Sequence, residues 1–369
     1  MAKTQIILFI FIMSGLLLGC SNNDFEKGVI EPKDKSTETA PIEVAPIISD
    51  EVSSEQDSLP ATKIRVPAEW EFHAATWIQW PGRYEAKMRP AFVEVIKVIQ
   101  EYEQVQLLTS SEREKTEAIE LLTKNGVSDQ NITWHIVLTD SAWMRDNGPI
   151  YITDGINTWI QNWKFNAWGG NFGSEVSFQN DNRVPTFVGE YLNIKVEDHQ
   201  EYVLEKGNLE SNGAGVLVLG WDCQNDRNPG MTRKEHETIL KEALGATQIL
   251  WAYGHWKGEG TTGHIDATAR FIDQNTLVVA DYKAPIDCDG LATTAEDIGL
   301  NVVRYAGDLN WLVGNGFVLA MSEGSKYDQE AKSQLAEFFP GREVFLIDGD
   351  TLAAAGGGIH CITNDQPEF

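Results

Sequence analysis

The chain has 369 residues, enough for one large folded domain or two ordinary ones. Its 29 Lys and Arg are outnumbered by 55 Asp and Glu, which gives a formal net charge of −26. This acidity argues against a nucleic-acid-binding protein, since such a protein needs a basic face. Hydrophobic residues make up 42% of the chain, so a sizeable core is expected, whereas four Cys are too few for a disulfide scaffold.

The first 20 residues have the features of an export signal. Lys3 precedes an apolar run over residues 6–18, which is too short to span a bilayer comfortably, and Gly19-Cys20 follows it. A small residue before Cys resembles the bacterial lipobox, in which the Cys is lipidated and becomes the mature N-terminus. We expect residues 1–20 to be a lipoprotein signal peptide that anchors the protein to a membrane of the bacterial cell envelope through Cys20. An ordinary secretory signal is the alternative.

Residues 21–63 are polar and acidic. They carry ten acidic and four basic side chains, four Pro and one aromatic residue, Phe25. Because such a segment buries too little apolar area to offset its ordering entropy, we predict a disordered tether. The folded domain then comprises residues 64–369 and holds most of the acidic excess, which would attract small cationic substrates. Acidity that serves only solubility is the alternative interpretation.

The folded part alternates short strands with helices of modest length, which is typical of the α/β class. The sequence predicts strands over residues 75–80, 104–109, 132–138, 248–251, 276–280, 316–321 and 343–347. It predicts helices over residues 88–102, 111–124, 232–245 and 327–339. Ser111 with Glu114, and Thr232 with Glu235, have the pattern that opens a helix. The recurring strand–helix–strand order suggests internal repetition without a fixed period.

Four short segments concentrate residues that can carry out chemistry. They are Trp-Met-Arg-Asp-Asn-Gly-Pro at 143–149, Phe-Asn-Ala-Trp-Gly-Gly at 165–170, Thr-Thr-Gly-His-Ile-Asp at 261–266 and Gly-Gly-Gly-Ile-His-Cys-Ile-Thr at 356–363. Taken singly, the first two are explained equally well by turns and core packing. If the third is extended, His264 and Asp266 point to the same side. In the fourth, the glycines allow close backbone approach and leave the thiol of Cys361 accessible.

The cysteine count favours a free thiol. With Cys20 lipidated, three Cys remain, so at least one of them has no disulfide partner. Cys223 and Cys288 are most simply interpreted as buried and inert. The sequence has no Cys-x-x-Cys pair and no His-x-x-x-His helix to support a metal site, and it has no Gly-rich phosphate-binding loop.

Together these segments suggest a Cys nucleophile, a His acid–base and at least two carboxylates. Carboxylates beside a thiolate are costly because like charges raise the pKa of the thiol. The arrangement is reasonable if the substrate is a cation. A guanidinium is planar and permanently charged, and its N–H groups match carboxylate pairs. Once bound, it would offset the repulsion and help to create the thiolate that attacks it.

Six motifs occur in the order found in agmatine deiminase and its bacterial peptidyl-arginine deiminase relatives, which belong to the guanidine-modifying superfamily. They are the four segments above, Val-Pro-Ala-Glu-Trp-Glu at 66–71 and Asn-Asp-Arg-Asn-Pro at 225–229, and together they cover about residues 65–367. The resemblance implies a pentein-like fold, a five-bladed α/β propeller of ββαβ units with the active site on its axis. It also implies hydrolysis of a guanidinium to a ureido group and ammonia without a cofactor, and a homodimer.

The resemblance also implies roles for individual residues. Cys361 would attack the guanidinium carbon, and His264 would protonate the departing ammonia and then activate water. Asp146 and Asp266 would clamp the guanidinium nitrogens. Five further residues are implied to bind the substrate: Trp143, Trp168, Glu205, Asn208 and Glu259.

Two positions depart from the family pattern. Lys206 stands where relatives usually carry Gly, and Gly260 stands where they tend to have a second acidic residue. Both lie close to the expected site, so both could alter recognition of the far end of the substrate. They leave Cys361, His264 and the two Asp residues in place.

The sequence favours agmatine, which would be converted to N-carbamoylputrescine, as the substrate. The 165–170 loop is of the agmatine type, and no basic residue between Lys164 and Arg183 is available to pair with a substrate carboxylate. The predicted export signal instead favours peptidyl or C-terminal arginine, because an exported enzyme meets peptides. A non-catalytic lipoprotein that binds cationic ligands is a third possibility, and the intact set of chemical residues argues against it.

Overall fold

The computed structural model describes residues 64–173, 176–281, 285–322, 324 and 326–368. The predicted signal peptide with Cys20 and the predicted tether over residues 21–63 lie outside this part of the chain. Among the described residues, no helix combines the length and the apolar character needed to cross a membrane.

The described residues form sixteen strands and nine α-helices, joined by short 3₁₀ turns. The strands are β1 (His73–Gln79), β2 (Gln104–Thr109), β3 (Ile132–Ile136), β4 (Ile150–Thr153), β5 (Thr158–Lys164), β6 (Val196–Val203), β7 (Glu210–Ser211), β8 (Val216–Gly220), β9 (Gln248–Ala252), β10 (Ala269–Asp273), β11 (Thr276–Ala280), β12 (Asn301–Tyr305), β13 (Leu312–Gly314), β14 (Phe317–Met321), β15 (Glu343–Ile347) and β16 (Thr363–Pro367). The helices are α1 (Arg89–Ile99), α2 (Glu112–Lys124), α3 (Met144–Asn147), α4 (Val184–Leu192), α5 (Trp221–Arg227), α6 (Arg233–Leu244), α7 (Cys288–Asp297), α8 (Asp328–Phe338) and α9 (Asp350–Ala353).

Local sequence signals explain where several of these elements begin and end. Thr232 and Glu235 form both hydrogen bonds of a capping box at the start of α6, and Gly245 ends that helix at φ 69°. Ser111 caps α2 by accepting from the backbone of Glu114. The helix predicted over residues 88–102 is shorter, Arg89–Ile99, because a separate 3₁₀ helix covers Arg83–Met88 before it and residues 100–102 form a turn after it.

Strands β1 to β16 form five sheets that repeat one arrangement. The strand orders are β16-β1-β2-β3, β4-β5-β6, β7-β8-β9, β10-β11-β12 and β13-β14-β15. In each sheet a central strand pairs antiparallel with one neighbour and parallel with the other, as β1 does with β16 and β2. At least one helix lies in the chain between the central strand and its parallel partner. This recurrence is the internal repetition that the sequence suggested.

The apolar faces of sheets and helices make the core. In the first unit, Phe92, Val95, Ile96 and Ile99 of α1 are fully buried in one cluster that also includes strand β2. Each such side chain contributes about 1.5–3 kcal/mol relative to an exposed position. This packing fixes the sheets, and the sheets in turn fix the short segments that lead into them.

Those lead-in segments carry the polar side chains of the site. In each sheet one segment directly precedes the strand that pairs antiparallel with the central strand: residues 144–149 before β4, 205–209 before β7, 264–268 before β10, 308–311 before β13 and 359–362 before β16. The predicted residues Asp146, Glu205, His264, Asp266 and Cys361 all lie on these segments. The repeat therefore brings residues that are far apart in sequence to equivalent positions.

Candidate active site

The thiol of Cys361 lies among polar groups just before β16. Its Sγ is 3.6 Å from Asp266 Oδ2 and 3.2 Å from Asn310 Nδ2. Burial raises the pKa of this thiol well above its usual value, and the charges of Asp266 and Asp146 raise it further. We expected an accessible thiol after the glycine run, but Cys361 is 8% exposed. Without a bound cation, the thiol is held in its protonated form.

Asn310 is a neighbour of the thiol that the sequence analysis missed. Its Nδ2 donates toward Cys361 Sγ, and its Oδ1 accepts from the backbone N–H of Cys361 at 3.3 Å. The hydrogen bond from Asn310 lowers the pKa of the thiol, in opposition to burial and the carboxylates. A β-carbon at Gly358 would collide with Asn310, so glycine is required there, as the close approach predicted for the glycine run implies. Asn310 lies in the lead-in segment before β13, and this position is the signal that could have identified it.

Asp266 is held beside the thiol by His360. Its Oδ2 lies 2.8 Å from His360 Nδ1 and is the same atom that faces the sulfur. Burial would raise the pKa of Asp266, but the hydrogen bond and charge of His360, with contributions from His264 and Arg270, hold it below its usual value. Asp266 is therefore a carboxylate, and its charge lies within reach of a cation that approaches Cys361.

Behind His360 lies Glu69, which the sequence analysis quoted in a motif without giving it a role. Its Oε2 is 2.7 Å from His360 Nε2, 2.9 Å from an Arg270 nitrogen and 3.5 Å from an Arg145 nitrogen. Burial would raise the pKa of Glu69, but Arg270, His360 and Arg145 lower it well below its usual value. The two guanidinium groups thus compensate a largely buried negative charge.

Asp146 is the second carboxylate near the thiol. Trp168 Nε1 donates to its Oδ2 at 2.7 Å, so Trp168, which we expected to line the substrate pocket, also orients this aspartate. Burial raises the pKa of Asp146 to about 6, with the nearby charge of His264 acting in the opposite direction. Asp146 therefore gains or loses its proton at a pH slightly below neutral.

His264 lies between two carboxylates. Its Nε2 is 2.7 Å from Glu205 Oε2, and its Nδ1 is 3.5 Å from Asp146 Oδ1. Because a carboxylate only accepts, the bond to Glu205 places a proton on Nε2 and directs Nδ1 toward Asp146. Burial alone would lower the pKa of His264, but Asp146, Cys223 and Glu205 together raise it well above its usual value. The imidazole is thus prepared to act as an acid.

Glu205 acts from behind His264. Arg227 donates to both of its oxygens, at 2.7 and 3.2 Å, and the residue is fully buried. We expected Glu205 to bind the substrate, but its oxygens are already engaged by Arg227 and His264, so the structure places it in a supporting position. Cys223, which we expected to be inert, donates from 3.8 Å to Glu205 Oε2 and thus lies next to this pair.

Asp146 Oδ1 and His264 Nδ1 are buried and have no hydrogen-bond partner within the described residues. Gly207 lies against both atoms, and a β-carbon at this position would collide with each of them. Two unsatisfied polar atoms at a buried site are costly unless a ligand group satisfies them. The pair therefore marks a position where an N–H group of a substrate can be accepted.

The pairing expected from an extended His-x-Asp segment is corrected by the structure. Ile265–Ala267 forms a 3₁₀ helix with His264 at its start, so the two side chains do not follow the two-residue alternation of a strand. His264 faces Asp146 and Glu205, whereas Asp266 faces Cys361 and His360. The short turn therefore supplies a polar residue to each side of the site.

The remaining expected substrate-binding residues lie at different depths. Trp143 packs beside Gly357, directly next to the nucleophile segment. Asn208 is fully buried, and its amide is bonded to both backbone groups of Gly220, so it stabilises the turn instead of facing the thiol. Glu259 is partly exposed and accepts from the backbone N–H of Gly263, just before His264.

The two departures from the family pattern also have clear locations. The ammonium group of Lys206 is buried and lies 2.7 Å from Asp365 Oδ1, which also pairs with Arg145. It therefore turns toward β16. Gly260 packs against the ring of Phe172 so closely that a β-carbon would collide with it, and its carbonyl accepts from Asn171.

One group of side chains has the composition of a metal site. Potential ligand atoms of Glu205, Cys223 and His264 lie within 4.8 Å of one another in the described part of the chain. Arg227, however, already donates to both oxygens of Glu205, and its charge would repel a metal cation at the same place. The donor set therefore fits a hydrogen-bonded support for His264 better than it fits a metal ion.

Comparison with known proteins shows the family of the chain. Residues 65–367 match the Porphyromonas-type peptidyl-arginine deiminase family. The chain belongs to this family. It is also similar to the agmatine deiminase of Stutzerimonas stutzeri, with 29% identity over 356 residues that cover 82% of this chain and 95% of that protein. The agmatine deiminase of Pseudomonas aeruginosa is 29% identical over 367 residues, which cover 83% and 96%.

Solved structures show the same fold. The agmatine deiminase of Enterococcus faecalis matches with a TM-score of 0.74 at 22% identity, over 83% of this chain and 96% of that one. The agmatine deiminase of C. jejuni matches with a TM-score of 0.70 at 21% identity, over 83% and 97%. These likenesses confirm the mixed α/β class predicted from the sequence.

Proposed function

We propose that this protein is a hydrolase that converts agmatine and water to N-carbamoylputrescine and ammonia. The observation that carries the proposal is the convergence of Asp146 and Asp266 on the buried thiol of Cys361, with His264 beside Asp146. A neutral or anionic substrate would leave this negative site uncompensated. A guanidinium supplies a flat positive charge and N–H donors for both carboxylates.

The first half of the reaction forms a covalent intermediate. The guanidinium binds between Asp146 and Asp266, and its charge offsets the carboxylates that hold the pKa of Cys361 high. The sulfur releases its proton to solvent water and bonds to the guanidinium carbon. His264 donates the proton on Nδ1 to one amino nitrogen, the C–N bond breaks, and ammonia leaves a positively charged thiouronium on Cys361.

The second half regenerates the thiol. His264, now neutral, takes a proton from a water molecule that attacks the thiouronium carbon. The C–S bond then breaks, the hydroxyl oxygen becomes the ureido carbonyl, and its proton passes to the departing sulfur, which restores the thiol. Glu205 keeps His264 in one tautomer throughout, because it accepts from Nε2 and leaves Nδ1 to exchange the proton.

Agmatine is favoured over an arginine peptide by the charges at the site. The basic side chains next to it are paired with carboxylates: Arg145 and Lys206 with Asp365, Arg227 with Glu205, and Arg270 with Glu69 and Glu210. None of these four is available to bind a substrate carboxylate. The agmatine deiminases at 29% identity support the same choice.

Peptidyl or C-terminal arginine is the second candidate. The family match and the predicted export signal favour it. The test is ammonia release from agmatine, C-terminal arginine peptides and free arginine, with Cys361→Ser as the matched control. We expect agmatine to have the highest kcat/KM, and we expect the variant to bind agmatine without turnover. Faster ammonia release from the arginine peptides than from agmatine would make peptidyl or C-terminal arginine the preferred substrate. Binding without turnover of any guanidine would favour a non-catalytic binding protein.

The five sheets are proposed to be the blades of a closed, pentein-like propeller with the lead-in segments at its axis. The repeated strand order and the gathering of those segments around one site support this arrangement. We further propose that the protein is a lipid-anchored homodimer of the cell envelope. Full-length protein should sediment with membranes, Cys20→Ser should release it, and light scattering of the soluble domain should give twice the monomer mass.

A further inference from the structure

His360 is a buried titratable residue to which the reaction scheme gives no step. It directly precedes Cys361, it is 2% exposed, and its two ring nitrogens lie 2.8 Å from Asp266 Oδ2 and 2.7 Å from Glu69 Oε2. Its ring therefore connects the carboxylate beside the thiol to a second carboxylate deeper in the protein.

The two carboxylates differ in how their charges are compensated. Glu69 is paired with Arg270 and Arg145 in addition to His360. The Oδ2 atom of Asp266 has His360 and the Cys361 thiol as its close neighbours. Burial lowers the pKa of His360, and Arg145 and Arg270 lower it further, whereas the charge of Glu69 and the hydrogen bond with Asp266 raise it. Each ring nitrogen lies within hydrogen-bond distance of a carboxylate oxygen, and a carboxylate only accepts, so the geometry points to a proton on Nδ1 toward Asp266 as well as on Nε2 toward Glu69.

We propose that His360 is a positioning residue that donates from Nδ1 to Asp266 and thereby limits how strongly this carboxylate opposes formation of the Cys361 thiolate. The bond draws charge density on Asp266 away from the sulfur and fixes Oδ2, which leaves Oδ1 for a guanidinium N–H. Glu69 with its two arginines anchors the far side of the ring. The inference deepens the proposed function, and its kinetic consequence depends on that function.

The other charged groups around this pair are the same in every comparison below. Asp146 also acts on Cys361, and His264 and Arg270 act on Asp266. Arg145 and Arg270 act on His360 from the Glu69 side. A change at residue 360 that leaves these groups in place therefore isolates the bond from Nδ1 to Asp266.

Two amide variants separate the two ring nitrogens. Asn places its amide nitrogen near the position of Nδ1, so His360→Asn can still donate to Asp266 but does not reach Glu69. Gln places its amide near Nε2, so His360→Gln can contact Glu69 but loses the bond to Asp266. Each variant loses one buried contact, so each is the structural control for the other.

The readout is alkylation of Cys361 by iodoacetamide between pH 6 and 10, followed by mass spectrometry of the peptide that carries it. We expect the pH at which Cys361 reaches half of its maximal alkylation rate, the midpoint, to be nearly the same in His360→Asn as in the protein without substitutions. We expect His360→Gln to raise this midpoint by roughly one pH unit. We also expect His360→Gln to lower kcat roughly tenfold more than His360→Asn does. Equal midpoints in all three proteins, or a larger shift in His360→Asn, would overturn the inference.

A measurement on the unmodified protein covers the case in which either variant is poorly folded. The proton on His360 Nδ1 should appear as a low-field imidazole resonance by NMR, assigned by its loss in Asp266→Ala. A proton found only on Nε2 would overturn the inference. Alkylation and NMR need no turnover, so altered midpoints without guanidine hydrolysis would refute only the proposed function, whereas turnover with unaltered midpoints would refute only the role of His360.

Discussion

Two histidines of the site each lie between a glutamate and an aspartate, an arrangement that we call a frame. The two frames differ in one contact. His264 lies between Glu205 and Asp146, and His360 lies between Glu69 and Asp266. In both frames the deeper glutamate is paired with arginine. On the Nδ1 side, however, the His264–Asp146 contact is open at 3.5 Å with both atoms unsatisfied, whereas the His360–Asp266 contact is closed at 2.8 Å.

This difference indicates how one kind of frame serves two purposes. The open contact leaves an acid and an acceptor free to exchange protons with a substrate. The closed contact holds a carboxylate still beside the nucleophile. Charges follow the same division: Asp146, Cys223 and Glu205 overcome burial to raise the pKa of His264, while Arg145 and Arg270 add to burial in lowering the pKa of His360.

The largest effect should come from breaking the open frame. In His264→Gln the amide can keep the contact with Glu205 but cannot transfer a proton. Because general acid–base catalysis typically contributes 10²–10⁴-fold, we expect kcat to fall roughly 10³-fold with KM little changed. Steady-state ammonia release checks this, with His360→Asn as the comparison in the closed frame. A His264→Gln enzyme within tenfold of the unmodified kcat would refute the assignment of the open frame to proton transfer.

The next effect concerns the charge of Asp146. Its pKa is raised to about 6, so it gains a proton and loses its negative charge as the pH falls through 6, whereas the pKa values of Asp266 and Glu205 lie below their usual range. We expect kcat/KM for agmatine to decrease below about pH 6. Asp146→Asn should lower kcat/KM roughly 10²-fold and remove this acid limb. An acid limb that persists in Asp146→Asn would assign it to another group.

The smallest effect on catalysis should come from breaking the buried ion pair between Lys206 and Asp365. Lys206→Met leaves Asp365 with Arg145 as its remaining partner, so we expect the free energy of unfolding to fall by less than the roughly 3 kcal/mol of a fully uncompensated buried charge. Denaturant unfolding measures this loss, and kcat should change less than in the two variants above. An unaltered midpoint in Lys206→Met would show that the pair contributes nothing.

The sequence predicted those parts of the fold that have local signals. The capping box of α6 and the β-strands at Gln104–Thr109, Thr276–Ala280 and Glu343–Ile347 agree with the predicted bounds. Motif order predicted which residues carry the chemistry. The condition that the His-x-Asp segment is extended is not met, because residues 265–267 form a 3₁₀ helix and not a strand.

The supporting residues were beyond sequence reasoning for a physical reason. Glu69 and His360 are 291 residues apart, and Asn310 and Cys361 are 51 apart. Nothing local in the sequence requires these contacts, which exist because the repeated sheets bring their lead-in segments together. A search for equivalent positions in each repeat would have placed Asn310 beside the other site residues.

The central claim is that the sulfur of Cys361 bonds to the guanidinium carbon of the substrate. It is tested most directly by acid-quenching the full-length enzyme during turnover of agmatine and locating the substrate-derived adduct by peptide mass spectrometry. The account predicts an amidino adduct on Cys361, absent in Cys361→Ser. An adduct on Cys223 or Cys288 instead would contradict it.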